Sequence, residues 1–482
     1  MKRFGFLLAI VFATSGLMSS CDSMLDVPAE SVISSSSFWR SEEDASAGLN
    51  GVYVKFRDAF KEHNFFMWGD YRMGYYCNNI ANGYVNYGNI WDNLIDPATK
   101  GTDWTAIYNC INACNLVITK VPGIKFASDA KKNNVLGQAY FVRAFCYWEV
   151  VRLWGNAPLM TVGIESDDPD LIYPSRQPVE DVFALIESDI AQAESLLGSS
   201  NGKFKANLAT AYLLDADVNL WQAKVNKKGN DYLNKASQAL DKFDANNTAS
   251  LSSSYENVFR DDNNAEIIFS IPFIQDENTS CLAFICITSE VNAEYRNNPI
   301  PVGASTQWLR INDSHYDFLH EDPSDTRADI NAMVYNAPNG EVYRWVNKYN
   351  GTLVNGTRYY DSDYKVYRYA DAVMLKAEIL NELGKPAEAI AKINTIAKRA
   401  YGKDNYYNGS YSKDQVTEII TNERLKEFAS EGKLWFDMVR LGKAFEKVAP
   451  LKGRQNEKGI LLWPVANKTI NDNPNMIQTE GY

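Results

Sequence analysis

Residues 368–402 read RYADAVMLKAEILNELGKPAEAIAKINTIAKRAYG, and this stretch decides the fold. Ala370, Val373, Met374, Ala377 and Leu380 recur at the spacing of one helical face. Gly384 can close that helix in the left-handed conformation, and Pro386 stands where a first-turn proline is tolerated. Ala387, Ile390, Ala391 and Ala397 then mark the expected packing face of a second helix. So short a turn makes the two helices antiparallel neighbours.

Gly384, Ala389 and Ile393 fall where a tetratricopeptide unit carries its glycine, small residue and large apolar residue. Working outward, NERLKEFASEGKLWFDMVRLGK at 422–443 extends the helical pattern. Toward the N-terminus, further helices are expected over 44–60, 102–119, 131–154, 179–197, 206–223 and 231–243. Helical hairpins therefore recur at 102–154, 179–243 and 364–443, which gives a mostly α fold with a superhelical frame of tetratricopeptide-like repeats. Residues 255–360 interrupt it. Glu266–Ile271 and Phe284–Thr288 are short strand candidates, and 342–349 precedes the turn signals Asn350-Gly351 and Asn355-Gly356. This reads as loops and small β elements inserted into a single domain, 41–482.

The 482 residues carry a net charge of −12 and 13% aromatics, with Tyr 28, Phe 22 and Trp 11. An acidic surface repels phosphate backbones, so nucleic acid is not an expected partner. Three histidines leave little for histidine catalysis or a histidine metal site. No C-x-x-C pattern, phosphate-binding glycine loop or G-x-S-x-G is present, and no metal or cofactor is expected. Cys110, Cys114 and Cys146 lie in apolar helical contexts and read as buried free thiols.

The N-terminus is a targeting segment. Lys2 and Arg3 precede an apolar run from Phe4 to Met18, and Met18-Ser19-Ser20-Cys21 resembles a bacterial lipoprotein cleavage box. That implies a signal peptide at 1–20, lipid on Cys21 and a polar tether over 21–40.

Taken in order, several motifs resemble the SusD/RagB family of surface nutrient-binding lipoproteins. They are the cysteine, acidic residue and proline at Cys21–Pro28, TDWTAIYNCINACN at 102–115, and Arg143-Ala144 followed by Gly155 to Leu159. Glu266-Ile-Ile-Phe-Ser-Ile271, the two C-terminal blocks, and the tail with Trp463-Pro464, Asn473-Pro474 and Gly481-Tyr482 complete the series. Two positions depart from the family pattern: Leu434 stands where it has arginine, and Thr479-Glu480 where it has Asn-Pro. The resemblance implies a protein that binds without cleaving, is anchored in the outer membrane facing the exterior, and hands glycan to a TonB-dependent, SusC-like transporter.

Two sets of residues could carry function. Arg368, Asp371, Glu423, Arg424, Asp437 and Arg440 could be a carboxylate pair with accessory cations, as in a glycoside hydrolase. The favoured reading makes them struts, arginine–carboxylate pairs locking packed helices. The second set is the segment 63–94, crowded with aromatics, Asn and Gly. Indole and phenol rings stack on the C–H face of a pyranose, while Asn and Arg supply paired polar groups for its hydroxyls. The expected glycan contacts are Trp91, Asn93, Tyr84, Tyr87, Tyr71 and Arg72, joined by Tyr295 and Arg296 of the insertion; Asn82 and Asn86 flank Tyr84. Trp308 reads equally as core. The alternatives are a tetratricopeptide-type scaffold whose aromatics are all core, and a surface glycoside hydrolase.

Overall fold

A computed structural model describes residues 38–61, 63–78, 87–199, 202–275 and 307–482 apart from 356, with isolated positions at 277, 282, 285 and 286. The expected signal peptide, Cys21, most of the tether, Tyr84 with Asn82 and Asn86, Tyr295 and Arg296 lie outside the described residues.

Among the described residues, ten helices build the frame. They are α1 (Glu42–Phe60), α2 (Thr105–Lys120), α3 (Asp129–Trp154), α4 (Val179–Leu196), α5 (Leu208–Lys224), α6 (Asn230–Asn246), α7 (Tyr369–Glu382), α8 (Pro386–Tyr401), α9 (Lys413–Glu427) and α10 (Leu434–Arg440). Their starts follow local chemistry. Ser41 and Asp44 form a reciprocal capping box at α1, with Ser41 N–H donating to Asp44 at 2.8 Å and Asp44 N–H to Ser41 Oγ at 3.2 Å. Glu42, Glu43 and Asp44 thus sit in a first turn, where the helix dipole favours negative charge. Asn207 and Ser412 cap α5 and α9 in the same way. Successive helices pair as antiparallel neighbours: α2 with α3, α3 with α4, α5 with α6, and α7 with α8.

The α7–α8 turn behaves as its sequence implies. Gly384 takes φ +77° and Pro386 opens α8. One expectation needs correction. Ala387 and Ala391 are exposed, and the packing face of α8 is Ala389, Ile390, Ile393, Ile396, Ala397 and Ala400. The apolar residues of α8 span more than one stripe, and α7 and α9 take the one containing the larger isoleucines.

Among the described residues the β structure is a set of two-stranded ribbons. Besides the two-residue pair Ala157–Pro158 and Arg176–Gln177, the strands are β1 (Tyr76–Asn78), β2 (Ile267–Ile271), β3 (Leu309–Ile311), β4 (Met333–Asn336), β5 (Val342–Trp345), β6 (Thr352–Val354), β7 (Thr357–Tyr359) and β8 (Tyr364–Arg368). β2 pairs antiparallel with β8, with Tyr364 opposite Ile271 and a bulge between Lys365 and Arg368. It thereby ties the start of the insertion to the entry of α7. β4 pairs with β5, and β6 with β7 through a turn in which Asn355 takes φ +50°. Of the strand expected at 284–288, only residues 285 and 286 are described, and they form a turn. Cys110, Cys114 and Cys146 are buried free thiols.

Candidate functional site

The charged residues of the C-terminal motifs are interior. Arg368, at the junction of β8 and α7, is wholly buried. Its Nη1 donates to Glu266 at 2.7 Å and to Glu427 at 2.6 Å, and its Nε donates to Glu431 at 2.9 Å. Arg327 holds Asp325 at 2.8 Å, Glu423 at 2.8 Å and Glu427 at 3.2 Å. Arg440 reaches Glu378 at 3.0 Å and Asp437 at 2.9 Å. Burial alone would raise Glu431 and Glu378, but Arg368 and Lys348 hold Glu431 down to about 2, and Arg440 and Lys224 hold Glu378 down to about 2. A carboxylate clamped by guanidinium forks is neither a proton donor nor a nucleophile near neutral pH. With Arg399 of α8, which pairs with Glu266 at 2.6 Å and with Glu427, these residues join the start of β2 to α7, α8, α9 and α10.

The aromatic segment divides into an interior part and a half-buried part. Arg72 is fully buried: its Nε donates to Asn93 Oδ1 at 2.9 Å, its Nη1 to the carbonyls of Leu461 and Leu462 at 3.1 and 3.2 Å, and its guanidinium lies 3.9 Å from the Trp435 ring centre. Asn93 returns a bond to the Arg72 carbonyl at 2.9 Å. Burial pushes Arg72 down to about 9. Tyr71 shares a 3.0 Å hydrogen bond with His63 Nδ1, and the Tyr87 ring packs 4.9 Å from His63. Tyr71, Arg72, Tyr87 and Asn93 are therefore fold residues here, which corrects their expected place on the ligand face. Arg72 looks available in the sequence because the Leu461 and Leu462 carbonyls that occupy it lie 389 and 390 positions away, and Asn93 because its partner Arg72 lies 21 positions away. Trp91, on the short helix Gly88–Trp91, stays half-buried.

β1 and β3 bring distant segments together. In their antiparallel register Tyr76 lies opposite Ile311, Cys77 opposite Arg310 and Asn78 opposite Leu309. The first described part of the aromatic segment, 63–78, thus ends beside the point where the described part of the insertion resumes. Asn312 fixes the junction: its side chain donates to the Gly74 carbonyl at 2.7 Å and its N–H to the Tyr75 carbonyl at 2.9 Å. It also caps the helix Asp313–Leu319 by accepting from His315 N–H at 2.9 Å. The His315 ring stacks on Tyr75 at 3.8 Å with 5° between planes. Burial lowers His315 to about 3, so the stack is a neutral one near pH 7.

Around this junction Tyr75, Trp91, Trp308 and Tyr316 are all half-buried. Arg344 lies 4.9 Å from the Tyr316 ring and binds Asp313 at 2.7 Å, and His320 stacks on Tyr316 at 4.0 Å. Tyr316, His320 and Arg344 were not read as site residues from sequence. The asparagine cap followed by a His-Tyr pair was the local signal; the β1–β3 pairing that gives it meaning is not local. Among the described residues no group of three or more His, Cys, Asp or Glu is placed to hold a metal ion, and no helix is long and apolar enough to cross a membrane.

A mostly α frame of tetratricopeptide-like hairpins, interrupted by a β-containing insertion whose strand pairs with the N-terminal segment, defines a class of protein. Residues 312–482 match the model of the SusD family, and residues 29–220 match one described as "Starch-binding associating with outer membrane". A SusD-like protein of Formosa agariphila is 28% identical over 98% of both chains. The starch-binding protein SusD of Bacteroides thetaiotaomicron is 23% identical over 80% of this chain and 79% of that one. Among solved structures, NanU of B. fragilis superposes with a TM-score of 0.82 at 28% identity, covering 95% of this chain and all of that one. A structure titled "Laminarin binding SusD-like protein" shares the fold, with a TM-score of 0.73, 20% identity and coverage of 92% and 100%. The chain belongs to the SusD/RagB family.

Proposed function

We propose that this chain captures glycan at the cell surface and delivers it to a TonB-dependent, SusC-like transporter of the outer membrane. The observation that carries the reading is the β1–β3 register, which joins the aromatic N-terminal segment to the mid-chain insertion at one edge of a rigid frame. Two relatives bear names that specify polysaccharide, starch for one and laminarin for the other. The half-buried rings of Trp91, Tyr75, Trp308 and Tyr316 supply stacking surface, and Arg344 supplies donors. Tyr84, Tyr295 and Arg296 belong to the two segments that meet here and stay in the proposed ligand face. The role is capture and not cleavage: of the motif carboxylates, Glu423 is held by Arg327, Asp437 by Arg424 and Arg440, and Asp371 by Lys433, all in the interior.

In this reading Cys21 carries the lipid anchor, with the protein facing the exterior. Tethering keeps captured glycan at high effective concentration beside the transporter. Affinity electrophoresis through gels containing single polysaccharides tests it. The wild-type chain is retarded by at least one polysaccharide, and Trp91→Ala and Tyr295→Ala each weaken that retardation. If both variants migrate like wild type in a gel that retards it, the site assignment fails.

A further inference from the structure

The turn 428–433 between α9 and α10 holds a buried serine in a backbone conformation that favours glycine. Ser430 takes φ +56° and is 3% exposed. Glycine adopts that region freely, whereas the Cβ of another L-residue crowds the following carbonyl oxygen. A residue held there persists only where its surroundings over-determine it, and such positions cluster at functional sites. Two positions on, Gly432 takes φ +71°, so this turn does use glycine for a left-handed position. At 430 the chain instead keeps a hydroxyl.

That hydroxyl reaches the ribbon at the proposed glycan face. Ser430 Oγ and Tyr76 Oη share a 2.7 Å hydrogen bond across 354 positions of sequence. Tyr76 is buried, opens β1 and lies opposite Ile311 of β3. The bond therefore falls on the ribbon that joins the aromatic segment to the insertion. The neighbouring Tyr75 carries the ring stacked on His315, and its carbonyl accepts from Asn312 N–H. The same turn grips both flanking segments. Ser430 O accepts from Tyr349 Oη at 2.7 Å, and Ala429 O accepts from Lys348 Nζ at 2.5 Å. Asp70 accepts from Gly432 N–H at 2.6 Å and from Leu434 N–H at 3.3 Å.

These contacts differ in kind. The Tyr349, Lys348 and Asp70 bonds use the backbone of the turn, which a glycine at 430 would also offer. The bond to Tyr76 depends on the serine side chain. Rings that bind a ligand need their positions locked by hydrogen bonds behind them. We infer, on the capture reading above, that Ser430 is a positioning residue for the glycan face: its hydroxyl fixes Tyr76, and with it the β1–β3 ribbon, where the junction rings can receive a pyranose. Ser430 itself is buried and meets no ligand. Its positive φ is the cost of aiming the hydroxyl at β1.

The test compares melting temperature with affinity for a polysaccharide that retards the wild-type chain. Tyr76→Phe deletes one hydroxyl and keeps the ring. Tyr76→Phe combined with Ser430→Gly deletes both partners, so no polar group is stranded, and it relieves the positive φ. The double variant is expected to melt at or above the wild-type temperature and to bind about fivefold weaker or more. Tyr76→Phe alone is expected to bind weaker by a similar factor. Affinity then falls with no loss of stability, which a contact that only supports the fold does not produce. Wild-type affinity in either variant would overturn the inference. So would a double variant whose weaker binding comes with a lower melting temperature. Both outcomes leave the capture reading standing. That reading fails separately if no polysaccharide retards the wild-type chain, and the inference then falls with it.

Discussion

Arg368 shows how one side chain can mark a family and still take no part in chemistry. Its guanidinium is shared among Glu266, Glu427 and Glu431, all fully buried. Removing it leaves three buried acids with reduced compensation, a loss typically of about 3–5 kcal/mol. Arg368→Ala is expected to lower the midpoint of chemical denaturation accordingly. Arg368→Lys should recover little, because an ammonium cannot reproduce the fork. Arg72 makes the same point at the other end of the chain. Arg72→Ala is expected to destabilise the fold, seen as a lowered melting temperature, whereas Trp91→Ala should lower melting far less and weaken polysaccharide retardation tenfold or more. The sequence does not separate these cases. Arg72, Asn93 and Trp91 share one polar, aromatic stretch, and only the carbonyls of residues 460–462 and the Trp435 face decide which of them is interior.

Among the elements, helices were readable because their signals are local. Periodicity and the Gly384 turn act within a few residues, and the helices expected between 44 and 243 match those observed to within a turn, whereas the block 422–443 holds the end of α9, a break at 428–433, and α10. The side of α8 that packs was read less well, since Ala387 and Ala391 resemble the alanines that do pack and only the neighbouring helices choose. β4 was missed because its pairing partner, β5, alone had a clear strand pattern. The β1–β3 ribbon was out of reach, since two three-residue strands more than 230 positions apart leave no local trace. Close approaches between elements make a separate prediction. A Cβ on Gly69 would stand 1.8 Å from the Gly432 carbonyl oxygen, so Gly69→Ala must push two backbones apart. A cost of about 3 kcal/mol is expected. Gly384→Ala meets nothing within 4 Å and pays only for its positive φ, about 1 kcal/mol. Paired denaturation curves distinguish the two.

For the whole molecule, buried acids set how stability varies with pH. Glu431 and Glu378 fall from 4.5 to about 2 on folding, so their stabilisation is complete above about 4.5 and is lost as pH falls toward 2. Asp70 behaves oppositely. Burial raises it from 3.8 to about 7, although Gly432 N–H donates to it at 2.6 Å, so its contribution falls as pH rises from 4 to 7. Denaturation followed from pH 2 to 8 should show an acid loss below about 4.5, and Asp70→Asn should flatten the decline toward neutrality. The frame so stabilised holds the β1–β3 junction, and the account stands on that junction being the glycan face. Hydrogen exchange with and without an oligosaccharide of a polysaccharide that retards the protein tests this most directly. The account predicts protection in peptides spanning 71–94 and 308–320, with the repeats over 364–443 unchanged. Protection confined to those repeats, with none at the junction, would contradict it.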